Sequence, residues 1–274
     1  MMLAFFLLAF CTGHSILAAS ALTQGLPMLR QLSLAVVLLT AASVHSDEIN
    51  IAVAANFAAP MRKIAAEFEK DSGHTIVASF GSTGKFYAQI RAGAPFEVLL
   101  AADEETPARL EKEGDGVAGS RFTYAVGRLV LWSRKEGFVD AKGAVLGRND
   151  FQHLALPNPR LAPYGAAGIQ TLQALGLLDR LRSKFVTAEN INQTYQFVAS
   201  GNAELGFVAL SQVYREGRIA EGSGWIVPPK LHEPIRQDAL LLTRGKSSSG
   251  SAALLNYLRG DKARSIIKSY GYEL

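Results

Sequence analysis

The sequence predicts an α/β protein of two lobes, with a ligand cleft at the carboxyl ends of its strands. Three observations carry that expectation. From Glu48 to Glu113, short apolar runs alternate with stretches of helical period, an order that favours a parallel sheet with helical crossovers. A second alternation of the same kind fills residues 154–217, beyond a long apolar run from Phe122 to Ser133. A last strand, Asp238 to Thr243, then leads into two closing helices that the first unit recovers. The expected division is lobe 1 at 47–126 with 238–274, and lobe 2 at 127–237, with the ligand in the cleft.

Each element has its own signal. Glu48–Ala54 reads as a strand, ended by Asn56, a good helix-capping residue just ahead of Pro60. Met61, Ile64, Ala65 and Phe68 give the helix to Lys70 its period, and Gly73 closes it. His74–Ser79 is the next strand, and Gly81-Ser82-Thr83-Gly84 turns it into a helix that ends near Ala92. Val98–Ala101 is a third strand, with Asp103 capping the helix to Glu113. Phe122–Ser133 is too long for one small sheet and is expected to cross between lobes. Gly137–Gly147 reads as loop. After Leu154–Leu156, three prolines forbid regular structure from Pro157 to Pro163, and Tyr164-Gly165 opens a helix to Leu175. Phe185–Thr187 and Leu205–Ala209 are strands, each followed by a helix, Asn192–Ala199 and Leu210–Gly217. Ser249–Tyr270 forms two helices broken near Gly260.

Composition narrows the class. At 49% hydrophobic and 19% charged residues, the 274-residue chain has ample material for folded cores. The formal charge of +4 is scattered, with no Lys/Arg block interleaved with aromatics, so nucleic acid is not an expected partner. The first 46 residues carry one charged side chain, Arg30. Arg30, the apolar stretch Leu32–Ala42 and the small residues before Asp47 have the three parts of a secretory signal. Residues 1–46 are therefore expected to be a signal peptide, with Met28 as its natural start and 1–27 as an over-extended beginning. The single cysteine, Cys11, follows bulky Phe10, which argues against a lipoprotein anchor. From Asp47 onward there is no cysteine, which excludes thiol catalysis and cysteine-based metal sites and suits an oxidising compartment.

Four strand-to-helix turns stand out: Ala55-Asn56, Ser82-Thr83-Gly84, Tyr164-Gly165 and Asn190-Ile191-Asn192. The first N–H groups of a helix have no partner within it and sit at the positive end of its dipole, so each turn can receive an anion without any charged side chain. Asn56, Thr83 and Tyr164 are expected to add side-chain donors. Singly each turn is an ordinary cap; together, on one sheet edge, they can enclose a small oxyanion. Rival motifs are weaker. Gly84-Lys85 resembles the end of a P-loop, but Ser79 stands where its first glycine belongs and Phe86 where its hydroxyl residue belongs. His74, His153 and His232 lack metal-ligand spacing, and no G-x-S-x-G elbow is present.

These stretches resemble the periplasmic molybdate-binding proteins of ABC transporters. The likeness runs through Val53–Phe57, Gly81–Gly84, Gln89–Pro95, Leu99–Asp103, Asn158–Gly165, Leu205–Val208 and Lys268–Tyr272, covering essentially the whole chain from residue 47. The resemblance implies a two-lobed, type II periplasmic binding protein-like fold. It also implies a periplasmic location, a monomer without cofactor or catalytic residues, and a permease with its ATPase as partners. The implied molybdate ligands are Asn56, Thr83, Tyr164, Ile191 and Ala55, with Ser82, Gly84 and Asn192 as secondary candidates. Molybdenum is then bound only as the oxyanion, with no direct protein–metal ligand. Two departures concern donors. One branch of the family has a tyrosine where this chain has Ala209 and a small residue where it has Tyr164; the asparagine-bearing branch shows the arrangement found here.

Molybdate near neutral pH is a deprotonated tetrahedral dianion suited to a site of donors only, whereas phosphate keeps a proton and wants an acceptor. Glu189 is the one carboxylate near a turn. Six or seven charged hydrogen bonds at roughly 1.5–3 kcal/mol each sum to about 10–20 kcal/mol, enough for nanomolar binding at roughly −12 kcal/mol before closure costs. The alternatives are another oxyanion such as sulfate, or an α/β enzyme acting on phosphate or sulfate esters, which would need a general base that the sequence does not offer. A ligand-sensing domain of a transcription regulator would lack the signal. Tungstate is expected to bind like molybdate.

Overall fold

The computed structural model describes residues 47–274, so the expected signal peptide at 1–46 lies outside the described residues. The chain from Asp47 builds two five-stranded sheets, each covered by helices on both faces. In the first half the elements are β1 (Glu48–Ala54), α1 (Ala58–Ser72), β2 (Thr75–Gly81), α2 (Thr83–Arg91), β3 (Val98–Leu100), α3 (Glu105–Lys112) and β4 (Phe122–Gly127). The second sheet collects β5 (Leu129–Ser133), α4 (Val145–Arg148), β6 (Leu154–Pro157), α5 (Pro163–Ala174), α6 (Leu178–Leu181), β7 (Phe185–Ala188), α7 (Ile191–Ala199), β8 (Leu205–Ala209), α8 (Leu210–Val213) and β11 (Ser223–Ile226). Between α8 and β11 lie the two-residue strands β9 (Tyr214–Arg215) and β10 (Arg218–Ile219). The chain then returns to the first sheet as β12 (Ile235–Leu241) and closes with α9 (Ser249–Arg259) and α10 (Asp261–Ser269).

The first sheet has the order β2-β1-β3-β12-β4, with β1 parallel to β2 and β3 and β12 antiparallel to both its neighbours. Alternation along the strands splits its core. Ile51, Val53, Val98 and Leu100 face α1, α9 and α10 through Met61, Ile64, Leu254 and Ile267. Ala52, Leu99 and Leu240 face α2 and α3 through Phe86, Ile90 and Leu110. The second sheet, β11-β5-β8-β6-β7, repeats the device. Leu131, Leu156 and Phe207 pack toward α5, while Val130, Trp132 and Val208 pack toward α7 and α8.

The long run Phe122–Ser133 does cross, as β4 in the first sheet and β5 in the second, with Arg128 between them. Gly127 at the crossing has to be glycine, because a Cβ there would lie 2.1 Å from the Tyr164 hydroxyl. Three expectations need correction. Leu210–Gly217 is helical only to Val213; the rest is a β9–β10 hairpin whose turn residues Glu216 (φ 51°) and Gly217 (φ 84°) are both left-handed, the mirror-image geometry that suits twisted strands. The strand expected at Asp238–Thr243 begins at Ile235 and carries a bulge between Gln237 and Asp238. Asn56 does not cap α1: it lies in a 3₁₀ turn, Ala55–Phe57, and no side chain caps that helix. Gly73 does close α1, in the left-handed conformation.

Candidate anion-binding site

The parallel strands β1, β2, β6 and the edge strand β7 all end at one cavity, where their following turns converge. It is a small, tight cavity lined by Ala54–Asn56, Gly81–Thr83, Ala102, Ala162–Tyr164, Asn190 and Ile191 and partly open to solvent. All four turns singled out in the sequence therefore meet. The lining contains no Asp, Glu, His, Lys or Arg. Its one titratable group, the Tyr164 phenol, is pushed well above its ordinary value by burial and stays neutral.

Capping decides which N–H groups remain for a ligand. At α7, Asn190 Oδ1 accepts from the N–H groups of Asn192 (3.0 Å) and Gln193 (3.1 Å), leaving Ile191, the first helical residue, with no acceptor in its own helix. At α5, Pro163 has no N–H, and the Ala162 carbonyl accepts from Gly165 (2.8 Å) and Ala166 (3.2 Å), which leaves Tyr164. At α2, the Ser82 carbonyl takes Lys85 and Phe86 and the Leu161 carbonyl takes Gly84 (2.9 Å), which leaves Thr83. The Ala55–Phe57 turn offers its first N–H groups at the end of β1.

Side-chain donors come from one stretch. Thr83 Oγ1 accepts from the Ala102 N–H at 3.0 Å, so its own proton remains for another acceptor. Ser82 occupies the N-cap position of α2 but makes no capping bond, and its buried hydroxyl has no partner among the described residues. A buried hydroxyl without a partner costs roughly 1–3 kcal/mol, a cost recovered when an acceptor enters.

Asn56 and Tyr164 differ from the expectation. The Asn56 amide donates to Gln237 Oε1 (2.8 Å) and Tyr272 Oη (3.0 Å), and Tyr164 Oη accepts from Gln237 Nε2 (3.2 Å). The Asn56 amide donors are taken up behind the cavity and the Tyr164 hydroxyl lies against Gln237 there, so what these two residues turn toward the cavity is their backbone. Gly84 and Asn192, the secondary candidates, have given their N–H groups to Leu161 and Asn190; Gly84 lines a neighbouring groove, and Asn192 Oδ1 accepts from Gln212. Ala209 lies off the cavity with its N–H on Gln212 Oε1. Glu189 faces Lys85 at 2.7 Å, both about half exposed at the rim. The sequence reading missed Gln237 and Tyr272, whose role comes from long-range packing that no local motif signals. The described residues hold no cluster of His, Cys, Asp or Glu fit for a metal ion, and no described helix is long and apolar enough to cross a membrane.

A sequence profile of bacterial extracellular solute-binding proteins matches residues 49–273. The chain belongs to that family. Among curated solute-binding relatives, the molybdate-binding protein ModA of Azotobacter vinelandii is 60% identical over 86% of this chain and 94% of its own length. ModA of Rhodobacter capsulatus is 48% identical over 88% and 94%. The solved periplasmic molybdate-binding protein of Azotobacter vinelandii superposes with a TM-score of 0.80 at 43% identity, over 82% of this chain and 99% of that one. The type II, two-lobed α/β architecture of this solute-binding family thus agrees with the two sheets described above.

Proposed function

We propose that this protein binds molybdate, and tungstate like it, in the periplasm and delivers it to an ABC transporter permease driven by a cytoplasmic ATPase. The carrying observation is the cavity itself: four turns supply N–H and O–H donors, and the lining holds no carboxylate, histidine or charged side chain. A fully deprotonated tetrahedral dianion fits such a lining. A ligand that keeps a proton would find no carboxylate in the lining to receive it. The names of the close relatives support molybdate as the particular anion.

In this reading the first wall contributes Ala55 and Asn56 through the backbone, Thr83 through its N–H and hydroxyl, and Ser82 through its hydroxyl. The second wall contributes the N–H groups of Tyr164 and Ile191. Together they supply about the six or seven charged hydrogen bonds that nanomolar affinity requires at roughly 1.5–3 kcal/mol each. The lobes divide close to the expected bounds of 47–126 with 238–274 and 127–237, shifted so that Gly127 and Ile235–Gln237, which pair in the first sheet, join lobe 1, and they bend about the crossings near Arg128 and Ile235. In the closed form, contacts across the cleft such as Gly84 N–H to the Leu161 carbonyl and Lys85 to Glu189 hold the rims together. The protein acts as a monomer, carries no cofactor, performs no catalysis and uses no direct protein–metal bond.

Titration calorimetry with molybdate, tungstate, sulfate and phosphate tests the reading. Tight binding of molybdate and tungstate, much weaker sulfate and no phosphate are expected. Tight phosphate or sulfate, or no molybdate, would overturn it.

A further inference from the structure

Immediately behind the cavity, six buried polar side chains form one connected network: Asn56, Tyr124, Tyr164, Ser211, Gln237 and Tyr272. Gln237 is its centre. It is fully buried on β12, where the chain re-enters the first sheet, and the bulge between Gln237 and Asp238 aims it. Its Oε1 accepts from Asn56 Nδ2 (2.8 Å) and lies 3.1 Å from the Tyr124 hydroxyl, while its Nε2 donates to Tyr164 Oη (3.2 Å). With Asn56 Nδ2 as the donor, Gln237 turns its oxygen to the first wall and its nitrogen to the second. Asn56 belongs to the turn that opens the first wall, and Tyr164 to the helix start of the second. Gln237 is not among the residues that line the cavity.

Resting on the oxyanion reading above, we propose that Gln237 is a positioning residue that fixes the spacing between the two walls, and that this spacing sets the preference for molybdate over the smaller sulfate. Sulfate and molybdate present the same charge and the same four acceptors, so donors alone cannot tell them apart. A hydrogen bond tolerates only about 2.7–3.2 Å between heavy atoms, so donors held at fixed separation favour one anion radius. The rest of the network stiffens the same strut. Ser211 Oγ, on α8 of the second sheet, donates to the Asn56 carbonyl (2.9 Å), and Tyr272 Oη lies 2.8 Å from that carbonyl and 3.0 Å from Ser211 Oγ. Burial raises the phenols of Tyr124, Tyr164 and Tyr272, the last to about 12, so the strut keeps its protons at physiological pH. Loosening it lets the walls adjust to either anion.

The test is Gln237→Met, which keeps length and apolar volume but removes the donor and the acceptor. Calorimetry with sodium molybdate and sodium sulfate, the weaker anion measured by displacement, is run beside a thermal melt of the ligand-free protein. The ratio of sulfate to molybdate Kd is expected to fall by at least about fivefold. Tyr164→Phe, which removes one arm of the strut and leaves the Tyr164 N–H in place, shifts the ratio the same way by a smaller factor. The double variant is expected to be no worse than Gln237→Met alone. A merely structural role lowers the melting temperature and weakens both anions by the same factor; an unmoved ratio in both single variants overturns the proposal. If Gln237→Met fails to fold, the ratio in Tyr164→Phe decides. Wild-type protein that binds neither anion removes the oxyanion reading, and this inference with it; wild-type selectivity with an unmoved variant ratio removes only the inference.

Discussion

The two walls of the cavity offer the same chemistry by different means. On the first wall, Ser82 and Thr83 bring hydroxyls beside the wall's backbone N–H groups, and the Thr83 hydroxyl is oriented by the Ala102 N–H behind it. The second wall offers Tyr164 and Ile191 through the backbone alone, after Asn190 and the Ala162 carbonyl have absorbed the neighbouring N–H groups. A site can thus be written in side chains on one side and in helix starts on the other. Side-chain identity matters on the first wall; on the second, only the presence of the N–H does.

That contrast breaks most sharply at Ile191. Ile191→Pro deletes the N–H and puts a ring carbon in its place. The position tolerates proline, being the first of its helix after an extended Asn190 (φ −150°, ψ 174°). Molybdate affinity is expected to fall about 100-fold, the upper range for one hydrogen bond to a charged group, while Ile191→Val changes it little. Calorimetry on the pair checks both, and equal losses would deny that the backbone is the donor.

Thr83→Val comes next. It removes a donor to the anion and also the acceptor of the Ala102 N–H, so affinity is expected to drop about 10- to 100-fold, with a loss of about 1–3 kcal/mol in the stability of the ligand-free protein by denaturant unfolding. Ser82→Ala sharpens the distinction. The Ser82 hydroxyl has no partner to lose, so affinity falls about tenfold while ligand-free stability stays level or rises; a less stable variant with unchanged affinity would assign Ser82 to the fold instead. The smallest effect belongs to the rim. Lys85→Met or Glu189→Gln breaks an ion pair about half exposed to solvent, worth under about 1 kcal/mol, so affinity moves less than about fivefold and the difference fades in high salt.

Much of this was legible in the sequence, for physical reasons. The alternation of strands and helices follows from burial periodicity, and the four turns follow from the rule that helix starts lack partners; the resemblance to molybdate-binding proteins then implied Ala55, Asn56, Thr83, Tyr164 and Ile191 among them. The direction of their side chains was not legible. Asn56 and Tyr164 look like donors for a ligand, but they turn toward Gln237, residues 181 and 73 positions away along the chain. Local pattern contains nothing about such partners. Likewise Ser82 reads as an ordinary cap, and only the missing cap bond reveals a spare hydroxyl. The hairpin at Tyr214–Ile219 escaped because Glu216 is an uncommon residue for a left-handed turn position.

The central claim is a cavity of neutral donors that receives an already deprotonated anion. Titrating molybdate near neutral pH in two buffers of different ionisation enthalpy tests it directly, because proton exchange with the buffer adds its own heat to the signal. The account requires identical heats in both buffers, since no group in the lining takes up or releases a proton. A heat that changes with the buffer would show a titrating group at the site and contradict it.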